Sequence, residues 1–91
     1  MTRILLVEDD NQIREIIVDY FKSKYNETIF IEEAVAGGEG LDKFENGSYD
    51  LIMLDVMLPG IDGFSLCRSI RKKSDVPIIF LTARTAGDDV L

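Results

Sequence analysis

The sequence predicts a doubly wound α/β domain, a parallel sheet with helices on both faces, and three observations predict it. Short apolar runs recur along the chain, segments with helical apolar spacing separate them, and the two kinds alternate strictly. Such alternation implies βαβ units, whose right-handed crossovers produce a parallel sheet covered on both sides.

Each element has its own signal. The apolar runs are residues 4–7, 28–31, 51–54 and 78–81, and none alternates in and out as a half-exposed strand would. They read as strands buried on both faces. Between the first two, Ile13, Ile16, Ile17, Tyr20 and Phe21 recur at helical spacing and define one apolar stripe. Leu41 and Phe44 mark a second helix, with Gly37, Gly38 and Gly40 in or just before its first turn. An interior glycine costs about 1 kcal/mol relative to alanine, so that segment is expected to fray. Leu66, Cys67 and Ile70 mark the third helix. It runs into Arg71, Lys72 and Lys73, a basic cluster that suits a helix C-terminus and reads as a solvated end. Residues 46–48 and 59–63 are turn-rich loops, and there is no internal repeat, low-complexity tract or linker.

A length of 91 residues allows one domain with a modest core, and residues 1–91 are read as a single unit. With 46% hydrophobic and 30% charged residues, the composition is that of a packed soluble domain. A net charge of −7 repels phosphate backbones, so no nucleic-acid contact is expected within these residues. The apolar stretch after Met1 is too short for a signal peptide, and no run approaches the roughly 18 residues that would span a membrane. Cys67 is the lone cysteine, read as a small buried hydrophobe, and the absence of an intrachain disulfide fits a reducing cytoplasm.

In a sheet of this class, ligands bind outside the carboxyl ends of the strands. Strand one ends in Glu8-Asp9-Asp10, strand three in Asp55 and strand four in Thr82. If strands one and three are neighbours, Glu8 or Asp9 approaches Asp55. Two carboxylates about 4–5 Å apart repel by roughly 3–4 kcal/mol at an effective dielectric near 20. A shared proton or a hard divalent cation would offset that repulsion, and Mg2+ suits a site with few carboxylates and room for water and phosphate. Beside such a cation Asp55 can act as a nucleophile in phosphoryl transfer, with the Thr82 hydroxyl as a donor to a phosphoryl oxygen. Structural roles stand beside these. Asp10 or Asn11 caps the first helix, Glu8 and Asp9 form a solvated strand end, and Thr82 is a plain β-branched strand residue. Asp55 follows four apolar residues and precedes Val56-Met57-Leu58, where an unpaired carboxylate is costly.

The segments Ile4-Leu5-Leu6-Val7-Glu8-Asp9-Asp10, Asp50-Leu51-Ile52-Met53-Leu54-Asp55-Val56-Met57-Leu58-Pro59-Gly60-Ile61-Asp62-Gly63 and Pro77-Ile78-Ile79-Phe80-Leu81-Thr82-Ala83 closely resemble receiver domains of two-component response regulators. The resemblance covers the whole chain and implies a flavodoxin-like, three-layer αβα fold. It implies that Asp55 accepts a phosphoryl group from a sensor histidine kinase, and that Glu8, Asp9, Asp55 and the backbone carbonyl of Met57 hold Mg2+ or Mn2+. Thr82 then resembles the switch residue, and the side chains of Met57 and Arg84 occupy positions that tune phosphate lifetime. A DNA-binding output domain elsewhere is implied, as is a cytoplasmic, non-enzymatic signalling role.

The family pattern continues with a fourth helix and a fifth strand bearing a lysine, whereas no lysine follows Lys73 in these residues. The chain is therefore expected to stop short of the last strand and helix, leaving strand four as an open edge that a second copy could cover in a homodimer. Three rivals remain. An aspartate-nucleophile phosphatase wants a second acid where Met57 stands. A flavin or dinucleotide binder wants a phosphate loop where three acids stand. A receiver-shaped dimerisation module would need no phosphorylation.

Overall fold

A computed structural model of the chain describes residues 1–81. The strands are β1 (Thr2–Val7), β2 (Ile29–Ala34), β3 (Leu51–Asp55) and β4 (Ile78–Leu81); the helices are α1 (Asn11–Tyr25), α2 (Gly37–Glu45) and α3 (Gly63–Arg71). All strand pairs are parallel and the order is β2-β1-β3-β4, so β1 and β3 are central neighbours.

Strand alternation divides the apolar residues between two layers. Leu5 and Val7 of β1 and Ile52 and Leu54 of β3 face α2 and α3, where they form the main core with Ala34, Leu58, Leu66 and Ile70. Each such aliphatic side chain removed from water stabilises the fold by about 1.5–3 kcal/mol. On the opposite face Ile4 pairs in register with Ile31, and Ile29 and Ile31 line one cavity with Val18 and Phe21 of α1. Asp10 caps α1 by accepting from the Ile13 amide at 3.0 Å, and Asp62 caps α3 by accepting from the Ser65 amide at 2.8 Å.

Several local expectations are corrected. Only β1 and β3 are buried on both faces; β2 and β4 are the sheet edges among the described residues and are half-exposed. Strand β2 begins one residue later than expected and runs on through Glu32 and Glu33, because both acids find basic or hydroxyl partners. The stripe on α1 is narrower than its periodicity suggests: Ile16 is 69% and Tyr20 52% exposed. Cys67 is half-buried.

The glycine-rich α2 is a formed helix. A Cβ at Gly40 would lie 2.8 Å from Val7 Cγ2, and one at Gly37 would lie 2.1 Å from the Ile61 carbonyl oxygen. Close approach to β1 and to the loop before α3 therefore requires glycine, and packing outweighs its low helix propensity. The basic end of α3 is likewise more than a solvated face. Arg71 donates to the carbonyl of Val76 at 2.6 Å, and Lys73 pairs with Glu45 at 2.7 Å.

Candidate metal centre

The parallel register aligns the carboxyl ends of the central strands. Val7 pairs with Leu54, so the residues that follow each of them, Glu8 and Asp55, stand side by side at the carboxyl edge of the sheet. Glu8 is 1% and Asp55 0% exposed, whereas Asp9 is exposed. One carboxylate oxygen from each of the three can be chosen so that all lie within 4.8 Å of one another. At that separation each pair of ionised groups repels by roughly 3–4 kcal/mol at an effective dielectric near 20.

The donor set suits a hard cation. Three carboxylate oxygens within 4.8 Å of one another would hold Mg2+, which takes oxygen ligands and keeps positions for water. Side chains of this type also exclude soft-metal chemistry, which wants thiolate or imidazole.

The surrounding backbone holds these acids. The Glu8 amide donates to the Ala34 carbonyl at 3.0 Å, and the Glu8 side chain accepts from the Asp10 amide at 3.0 Å. The Met57 amide approaches Asp55 Oδ1 at 3.4 Å while the Met57 side chain points to solvent. Of the two capping alternatives, Asp10 is the cap and Asn11 is the first helical residue. Thr82 and Arg84 lie outside the described residues; Leu81, just before Thr82, pairs with Asp55.

Two neighbours were not singled out by sequence reasoning. Gly63 begins α3 directly beneath the Asp55 backbone, and its amide donates to the Val56 carbonyl at 2.9 Å. Arg14 of α1 donates through Nη1 to the Glu8 carbonyl at 2.8 Å. An arginine in the first turn after an acidic strand end was the available signal for the second; the first had only its place in a glycine-bearing loop.

Residues 4–91 match the model of the response regulator receiver domain. The chain belongs to this family. The receiver domain is 45% identical over 83 residues to the transcriptional regulatory protein ResD of Bacillus subtilis, an alignment spanning 91% of this chain and 33% of ResD. It thus covers about a third of the length of that curated relative. Among solved structures, the response regulator TrrA of Thermotoga maritima in complex with Mg(2+)-BeF superposes with a TM-score of 0.81 and 37% identity, over 94% of this chain and 72% of that one. TrrA in complex with the histidine kinase ThkA gives 0.82 and 39%, over 100% and 77%. The flavodoxin-like parallel sheet of the receiver family is thereby established for this chain. Among the described residues of the receiver domain, no helix is long and apolar enough to cross a membrane.

Proposed function

We propose that this receiver domain is the phosphoacceptor of a two-component system and that Asp55 takes a phosphoryl group from a phosphohistidine on a sensor histidine kinase. The observation that carries this reading is the convergence of Glu8, Asp9 and Asp55 within 4.8 Å at the carboxyl ends of adjacent strands. Glu8, Asp9, Asp55 and the Met57 carbonyl would hold Mg2+ or Mn2+, which supplies charge neutralisation for three acids and an incoming phosphoryl group.

In the transfer an Asp55 carboxylate oxygen forms a bond to phosphorus as the phosphorus–nitrogen bond of the phosphohistidine breaks. The imidazole nitrogen keeps the electron pair, and the product is an acyl phosphate. Burial of Asp55 keeps bulk water from its carboxylate, and the Met57 amide orients Oδ1. Thr82, which follows Leu81 in the sequence, would donate its hydroxyl to a phosphoryl oxygen and couple phosphorylation to a shift between two conformations.

A histidine kinase as donor is supported by the ThkA–TrrA complex. A DNA-binding output beyond these residues is supported by ResD and by AfsQ1 of Streptomyces coelicolor, both transcriptional regulatory proteins. The cytoplasm is the compartment this reading assigns. The test is incubation of wild-type and Asp55→Ala protein with acetyl phosphate and Mg2+, followed by intact-mass measurement. Wild type gains one phosphoryl group and the variant none; equal labelling of the two overturns the assignment.

A further inference from the structure

Arg14 joins three separate parts of the fold with one guanidinium group. Its Nη1 donates to the Glu8 carbonyl at 2.8 Å, at the end of β1. Its Nε donates to Glu33 Oε1 at 3.1 Å, on β2, and its Nη2 donates to Asn11 Oδ1 at the start of α1. The Arg14 side chain is only 13% exposed, against 45% for Glu33. A planar, rigid fork that satisfies acceptors from three elements has little freedom left, and the compact ammonium of a lysine cannot reproduce the spread of its donors.

The consequence falls on Asp9. Glu8 is fixed through its amide by Ala34 and through its carbonyl by Arg14. Asp10 is fixed through its amide by the Glu8 carboxylate and through its side chain by the Ile13 amide. Asp9 lies between these two anchored residues, so the orientation of the Glu8–Asp9 peptide is one determinant of where its carboxylate points. We infer that Arg14 is a positioning residue of the metal centre, acting through the Glu8 carbonyl to hold Asp9 and Glu8 in a cation-binding arrangement. This rests on the metal reading above.

Two other roles for Arg14 make opposite or different predictions. As a bare positive charge beside an acidic cluster it would weaken cation binding, so its removal would tighten the site. As a purely structural tie between α1 and β2 it would lower the melting temperature and leave metal affinity alone. Positioning alone predicts weaker binding when the charge is kept and the fork is lost.

The test measures Mn2+ affinity by calorimetry and by electron paramagnetic resonance of free Mn2+, at one pH and ionic strength, with thermal melts of every protein. R14M and R14K are each expected to bind about tenfold more weakly than wild type, the usual scale for loss of a group that orients a ligand. E33Q, which keeps the link to Glu8, is expected to stay within about twofold because the surface ion pair it removes is weak. R14M binding as tightly as wild type or more tightly overturns the inference, and so does R14K binding as tightly as wild type. R14K is read on its own if R14M does not fold. Wild type failing to bind Mn2+ overturns the metal reading itself, which separates the two failures.

Discussion

Gly63 lies against the backbone of Asp55 so closely that a Cβ at position 63 would stand 2.3 Å from the Asp55 carbonyl oxygen and 2.8 Å from Val56 Cα. Both obstacles are main-chain atoms of the strand end that carries the buried carboxylate. They can yield only by moving that strand end or the start of α3.

Gly63→Ala is therefore expected to destabilise the chain by about 1–3 kcal/mol, even though alanine is the better helix former. Gly38, in the first turn of α2, has nothing within 4 Å of its would-be Cβ. Gly38→Ala is expected to stabilise by about 0.4–1 kcal/mol, because it restricts the unfolded chain without a clash. Urea unfolding of the two variants beside wild type checks both signs. A stabilised Gly63→Ala would show that the α3 start can move away from Asp55 at little cost.

The acidic cluster makes a second prediction. Asp9 is the exposed member, so its repulsion with Glu8 and Asp55 is partly screened by solvent and salt. Asp9→Asn is expected to stabilise the metal-free chain by about 1 kcal/mol, which for this size raises Tm by about 4–8 °C. Millimolar Mg2+ is expected to raise the Tm of wild type and to have little effect on the variant. A lower Tm for Asp9→Asn in metal-free buffer would mean that repulsion is not the dominant interaction of Asp9.

What could be read beforehand follows a physical division. The central strands β1 and β3 declare themselves because they are buried on both faces, and burial writes continuous apolar runs. Glu8, Asp9 and Asp55 were readable for a related reason, since topology alone sends the ends of neighbouring parallel strands to one place. Strand β2 extends past its apolar run through Glu32 and Glu33, which look wrong for a buried strand. Their partners, Tyr49 and Arg14, lie 17 and 19 residues away in sequence. The roles of Gly37, Gly40 and Gly63 were hidden in the same way. A glycine's local cost is visible in sequence, while the backbone that needs to approach it is not.

Tyr49 offers a spectroscopic prediction. Burial, then the hydrogen bond its hydroxyl donates to Glu32 at 2.8 Å and the Glu32 charge, push its pKa up to about 12 from an ordinary 10.0. Ionising the phenol would leave two negative oxygens facing each other. The stabilisation is complete below pH 10 and is lost as pH rises toward 12. Absorbance titration of the phenolate is expected to contain a component near pH 12 that Tyr49→Phe removes. A titration unchanged in shape by the substitution, apart from its amplitude, would place the Tyr49 hydroxyl in water.

Acid affects the fold through two helix-start carboxylates. The Val35 amide donates to Glu39 at 2.9 Å and holds its pKa below the ordinary 4.5, with help from Lys43. The Ser65 amide does the same for Asp62, below the ordinary 3.8. Both groups are ionised more readily in the folded chain than in the unfolded one. Their contributions are therefore complete above pH 4.5 and 3.8, and they disappear as pH falls through the lower native values. Glu39→Gln/Asp62→Asn removes the titration while keeping polar side chains of the same shape, and asparagine remains a good helix cap. Any titration that wild type and variant share cancels in their difference. The Tm gap between wild type and the double variant is expected to be widest at neutral pH and to close on acidification. A gap independent of pH would show that these carboxylates bind protons equally well in the folded and unfolded chain.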